Sequence, residues 1–175
     1  MRKSKNKYLC KLLPYKKEQF LSIQEAKQVC DWGLELLNIP KAWKYTDGEG
    51  VTVAVLDTGC DLTHLDLKDN LLEGKNFVDS KKDPIDDSGH GSHVTGIICA
   101  SNNDIGIVGV APKAKVRPVK VLDGKGNGSL LNVAKGIRWA IEQKVDFITM
   151  SLGSPDPVQE VRKAIQLAEK NGIIT

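Results

Sequence analysis

Two residues of this chain stand in settings that favour proton chemistry. Asp57 follows Val51-Thr-Val-Ala-Val-Leu56, a short, β-branched and nearly all-apolar run. Such a run predicts a strand buried on both faces. A carboxylate at its end is costly unless it is hydrogen-bonded or paired; capping the Thr58-Gly59 turn is the purely structural alternative. His90 lies in Gly89-His-Gly-Ser-His93, where two glycines keep the backbone close and leave the ring unobstructed. His93, three residues on, can share a helix face with His90. Two structural histidines, or a metal pair, are the competing readings. The metal reading lacks the glutamate of an HExxH pattern. Together Asp57 and His90 suit a relay. A buried carboxylate on the Nδ1 side fixes the imidazole tautomer, and the other nitrogen can then take a proton from a hydroxyl.

The elements that must position these residues alternate along the chain. Ser88 to Ala100 is punctuated by glycine and then apolar, and can be a helix. Val116 to Leu122 predicts a second buried strand. Ser129 can cap a following helix whose apolar positions Val133, Ile137, Ala140 and Ile141 recur at helical spacing. Phe147 to Met150 predicts a third strand. Asp156 and Pro157 predict an N-cap and first helical residue, with Gln159 completing a capping box. Asn171-Gly172 is a helix stop, and Ile173-Ile174 starts another strand. The fold class expected is α/β, a parallel central sheet with helices on both faces. Chemistry in such sheets collects at the carboxyl ends of strands. Asp57, the segment 124–128 and Ser151-Leu152-Gly153 all fall at such ends. Residues 1–22 read as a separate arm and 23–50 as a mostly helical lead-in; 23–175 form the body.

Composition narrows the classes. With 175 residues, 41% hydrophobic and 27% charged, the chain has material for one sizeable core. No apolar run approaches the ~18 residues of a membrane span. The basic start at Arg2, Lys3, Lys5 and Lys7 is followed by an apolar stretch that Lys11 breaks, so no secretory signal is read and a cytoplasmic location is expected. Cys10, Cys30, Cys60 and Cys99 show no CxxC spacing and are expected to be free buried thiols. Residues 1–17 carry seven Lys or Arg and no acid, leaving 18 basic and 22 acidic residues, or −4, in the rest. A solvated tail, or one lying on the acidic body, is favoured over nucleic-acid or lipid binding. Neither a nucleic-acid nor a membrane partner is expected.

Several ordered motifs then resemble one family. Val53-Ala-Val-Leu-Asp-Thr-Gly59 and Gly89-His-Gly-Ser-His-Val-Thr-Gly96 are similar to the aspartate and histidine blocks of subtilisin-like serine proteases. Thr149-Met-Ser-Leu-Gly153 resembles their substrate-cleft strand, and Asn102 to Pro112 their calcium loop and following turn. The similarity runs from about Trp43 onward. It implies a serine endopeptidase with Asp57 as the orienting acid, His90 as the general base and His93 outside the chemistry. Ser151, Leu152 and Gly153 would form one strand of a peptide groove, Gly126 and Gly128 the other, and Leu122, Leu130 and Leu152 its apolar walls. A peptide or protein substrate would bind there as an added strand. Asp66 and Asn103 would be side-chain ligands, and Ser101, Ile105 and Ile107 carbonyl ligands, of a structural calcium ion. A polar turn without metal is the alternative for that loop. A further ligand near the start of the domain has no visible counterpart.

Leu12-Leu13-Pro14-Tyr15 resembles the segment with which intracellular subtilisins block their own cleft, and Cys60 after Asp57-Thr-Gly resembles the same branch. The leucines can fill apolar subsites while proline, lacking an N–H, bends the chain away from attack. The resemblance also allows a homodimer. Neither Ser129 nor Ser151 matches the family's nucleophile, and its oxyanion asparagine has no match either, so residues 1–175 alone are expected to be inactive and to represent the N-terminal part of the domain. Two other classes remain. A non-catalytic peptide-binding module would use the same groove. A nucleotide-binding protein would use Gly124-Lys-Gly-Asn-Gly128, although its spacing is GxGxG and Asp146 precedes its strand.

Overall fold

A computed structural model of the chain describes residues 9–12, 14, 27–155 and 157–175. Four strands form one parallel sheet in the order β3-β4-β2-β6: β2 (Thr52–Asp57), β3 (Lys75–Asn76), β4 (Lys115–Lys120) and β6 (Phe147–Thr149). β2 is central because its residues are apolar on both faces. Val53 and Val55 pack with Cys99 and Val116 on one side, against α3 (His90–Cys99). Ala54 and Leu56 face the other side, with Val133 and Ile137 of α4 (Leu130–Glu142). The two-residue period of a strand assigns alternate side chains to two cores. Helices thus cover both faces, and α5 (Gln159–Lys170) packs on α4. Pro118 lies within β4, yet β3 reaches only Val119 and Lys120, so the proline occupies the stretch where that neighbour is missing.

The helix ends follow their local chemistry with one correction. The Ser129 hydroxyl accepts from the Leu131 N–H at 3.2 Å and caps α4. α5 stops at Asn171, and Gly172 turns with φ +77°. The start of α5 is later than predicted. Val158, extended at φ −116° and ψ 121°, is its N-cap, so Pro157 is outside the helix and Gln159 is its first residue. Val158 is buried in the α4/α5 core, which holds its backbone extended and delays the helix. Asp156, the predicted cap, lies outside the described residues. The lead-in is only partly helical, with α1 (Trp32–Leu36) and α2 (Ile39–Ala42). Ile174 bridges Phe147 in parallel at the sheet edge, where the sequence places the start of another strand.

A second, three-stranded sheet is built from distant pieces: β1 (Leu9–Leu12) lies between β5 (Asn127–Ser129) and β7 (Leu152–Gly153), antiparallel to both. Residues 127–129 are therefore a strand, so the stretch 124–128 is not the open loop that a phosphate-binding reading needs. All four cysteines are free; Cys10, Cys60 and Cys99 are buried, but Cys30 is only half-buried. Among the described residues no helix is long and apolar enough to cross a membrane.

Candidate active site

Asp57 is the last residue of β2 and has no solvent exposure. His90 is the first residue of α3, preceded by Gly89 at φ +92°. The approach between strand end and helix start depends on Gly91. A Cβ there would meet the Gly59 carbonyl oxygen at 2.1 Å. With that path open, His90 Nδ1 lies 2.8 Å from Asp57 Oδ1. The same oxygen accepts from the Thr58 N–H at 2.7 Å. Burial pushes the Asp57 carboxyl above its ordinary value, while the hydrogen bonds from His90 and Thr58 oppose that rise. The pair has the arrangement in which a carboxylate fixes an imidazole and leaves Nε2 to handle a proton. His93 is exposed, whereas His90 Nδ1 is engaged by Asp57.

The predicted groove residues come together around β1. Leu9 faces Ser129, Cys10 faces Gly128 and Lys11 faces Asn127 on one side; Lys11 faces Gly153 and Leu12 faces Leu152 on the other. The Leu12 N–H also donates to the Gly126 carbonyl at 3.0 Å. Burial alternates along β1. Cys10 and Leu12 are 3% and 8% exposed, whereas Leu9 and Lys11 are exposed. The two buried side chains join the cluster that contains Leu122 and Leu130, with Leu152 packed against it. Gly126, at φ +74°, is needed here because a Cβ would meet Leu12 Cδ1 at 2.9 Å. Ser151 is half-buried beside β7. Burial pushes the Cys10 thiol up to about 11, so the docked thiol is inert. Pro14 is exposed; Leu13 and Tyr15 of the predicted inhibitory segment lie outside the described residues.

The predicted calcium loop is laced to the lead-in. Gln28 N–H donates to the Asp104 carbonyl and Val29 N–H to that of Gly106. Asp66, 2% exposed, accepts from Asn103 Nδ2 at 3.0 Å and from the Ile107 N–H at 3.4 Å. The Gln28 amide, which no sequence pattern singled out, reaches the carbonyls of Ser101 at 2.8 Å and Ile105 at 3.5 Å. A half-turn of the Gln28 and Asn103 amides would present oxygens in place of donors. A buried carboxylate among amides and carbonyls is the oxygen-rich set that suits calcium. These residues fit such an ion.

The family comparison adds breadth to this geometry. Residues 48–175 match the subtilase family (peptidase S8). The chain belongs to the subtilase family. It is 44% identical over 171 residues to the major intracellular serine protease of Bacillus subtilis (strain 168), covering 94% of this chain and 52% of that protein. It is 43% identical over 167 residues to the intracellular serine protease of Paenibacillus polymyxa, covering 93% of this chain and 50% of that protein. It is 41% identical over 148 residues to subtilisin Savinase of Lederbergia lenta, covering 84% and 54% respectively. The chain thus spans about half the length of these subtilases.

Proposed function

We propose that this chain supplies the acid–base half and most of one substrate groove of an intracellular subtilase that cleaves peptide bonds. In this reading Asp57 orients and His90 takes the proton from a serine hydroxyl. Substrate is held as a strand between β5 and β7, and Leu9–Leu12 is an inhibitory segment occupying that place. One observation carries the proposal: β1 is paired on both sides, five residue pairs in all, between the two groove strands. That is how an extended peptide adds to sheet edges. Asp66, Asn103, Ser101, Ile105 and Ile107, joined by Gln28, would hold a structural calcium ion that ties the loop to the lead-in.

In this reading the nucleophilic serine is neither Ser129 nor Ser151. Ser129 is committed to capping α4, and Ser151 belongs to the groove wall. Residues 1–175 alone are therefore expected to cleave no peptide, and β1 fills the place where one would bind. Two measurements test this. Removing residues 1–17 from the chain should let it bind an extended apolar peptide that the intact chain excludes, with no hydrolysis. In a polypeptide carrying the complete catalytic domain, the same deletion should raise cleavage of a small peptide substrate, and His90→Ala should abolish it. Equal binding and equal cleavage with and without the arm would refute the inhibitory role.

A further inference from the structure

The Asp57–His90 contact joins two elements that are far apart in sequence, and neither residue can hold the other alone. Thr58 lies between them, and each of its polar atoms is committed. Its N–H donates to Asp57 Oδ1 at 2.7 Å. Its hydroxyl donates to Asp86 Oδ1 at 2.8 Å and accepts from the Gly91 N–H at 3.0 Å. Its carbonyl accepts from Lys120 Nζ, a lysine only 5% exposed whose second partner is Asp87 Oδ1 at 2.6 Å.

Asp86 is the hub on the histidine side. Oδ1 also accepts from the N–H groups of Ser88 and Gly89, both at 2.9 Å. Oδ2 accepts from the Ser92 N–H at 2.9 Å and the Ser92 hydroxyl at 2.7 Å. The carboxylate thus collects the open N–H groups around the first turn of α3, the turn that carries His90. Burial opposes its ionisation, but the bonds from Ser92, Gly89 and Ser88 outweigh burial and hold the group below its ordinary value. A charged anchor for the start of α3 is thereby tied through one hydroxyl to the residue that follows Asp57.

We infer that Asp86 is a positioning residue for the Asp57–His90 pair, acting through the Thr58 hydroxyl, with Lys120 fixing Thr58 from the opposite side. The inference rests on Asp57 and His90 being the working pair of the proposed protease. Asp86 does not touch the reacting atoms. It sets the register between the end of β2 and the start of α3.

The test is proton NMR of the His90 Nδ1–H in the 175-residue chain. In the parent, this proton should resonate at low field and exchange slowly with water. Thr58→Val removes the hydroxyl yet leaves the Asp86 bonds to Ser88, Gly89 and Ser92, and should speed that exchange about tenfold. Asp86→Asn should act in the same direction, and Thr58→Ser should restore the parent signal. Ser92→Ala, which loosens only the capping side, should lower the thermal midpoint and leave the proton unchanged. If Thr58→Val does not fold, Thr58→Ala against Thr58→Ser isolates the same hydroxyl. Parent-like exchange in Thr58→Val and Asp86→Asn would overturn the inference, as would an equal effect of Ser92→Ala. Absence of the low-field proton from the parent itself would overturn the pair on which the inference rests.

Discussion

Leu12→Ala measures how firmly the arm is seated. Leu12 is 8% exposed in β1 and fills the space above Gly126. Truncation removes about three CH2 equivalents at roughly 0.8 kcal/mol each, a loss of about 2–3 kcal/mol once the small cavity is counted. The undocked arm loses nothing comparable, because its leucine is already in water. The docking equilibrium should therefore shift toward the open state by about 30- to 140-fold. Cys10 reports it directly. Its thiol is buried when β1 is paired and reacts only when the strand leaves. With an excess of an alkylating reagent and mass mapping of the modified peptides, the Cys10 rate should rise by that factor. Cys60 and Cys99, buried with thiols pushed up to about 12, should keep their slow rates. Lys11→Ala, on the exposed side of the strand, should change the Cys10 rate less than about twofold. An unchanged Cys10 rate in Leu12→Ala would refute the reasoning. A parallel rise at Cys60 and Cys99 would show that β1 is integral to the fold and does not dock on it.

Other outcomes follow from the same geometry. Asp57→Asn should stabilise the chain at neutral pH. The folded carboxyl is raised, so its cost enters as pH rises through the unfolded value of 3.8 and beyond. Denaturant midpoints of the two proteins at pH 7 should show that gain and should converge below about pH 4. Asp86 has the opposite sign: its folded value is lowered, so its contribution is present above 3.8 and vanishes as pH falls through the folded value. Asp86→Asn should accordingly flatten the acid limb of the stability curve. Calcium should raise the thermal midpoint, by an amount equivalent to about 2.7 kcal/mol at a hundredfold excess over Kd, and Asp66→Asn or Gln28→Ala should weaken the rise. Gly91→Ala, which would drive a Cβ onto the Gly59 carbonyl, should cost about 1–3 kcal/mol in chemical denaturation and weaken the His90 Nδ1–H signal.

Much of the site was legible because its signals are local. The all-apolar run before Asp57 announces a two-sided strand, and the glycines around His90 announce a close approach. The proposed groove at Gly126, Gly128 and Gly153 rests on family resemblance alone, since no periodicity says that 127–129 and 152–153 flank a third strand. The Thr58–Asp86 link was not visible. Asp86 reads as one more polar residue in a loop, and its value comes from five donors that folding brings to two oxygens. Gln28 was missed for the same reason, lying in a segment without pattern and acquiring partners 73 and 77 residues away. The late start of α5 shows a tertiary override, in which core packing of Val158 wins over the turn chemistry of Pro157.

If β1 is the inhibitory segment proposed above, its placement also sets how the groove responds to concentration. A separate inhibitor falls off when diluted, but a strand carried by the same chain returns at an effective concentration that dilution of the protein does not change. Dilution of the protein therefore leaves the groove filled. On the proposed reading, a competing peptide would have to match that local supply with affinity or abundance, and a cut between the arm and the body would let the occupant diffuse away for good. The tether turns a reversible contact into a threshold that a single hydrolysed bond removes.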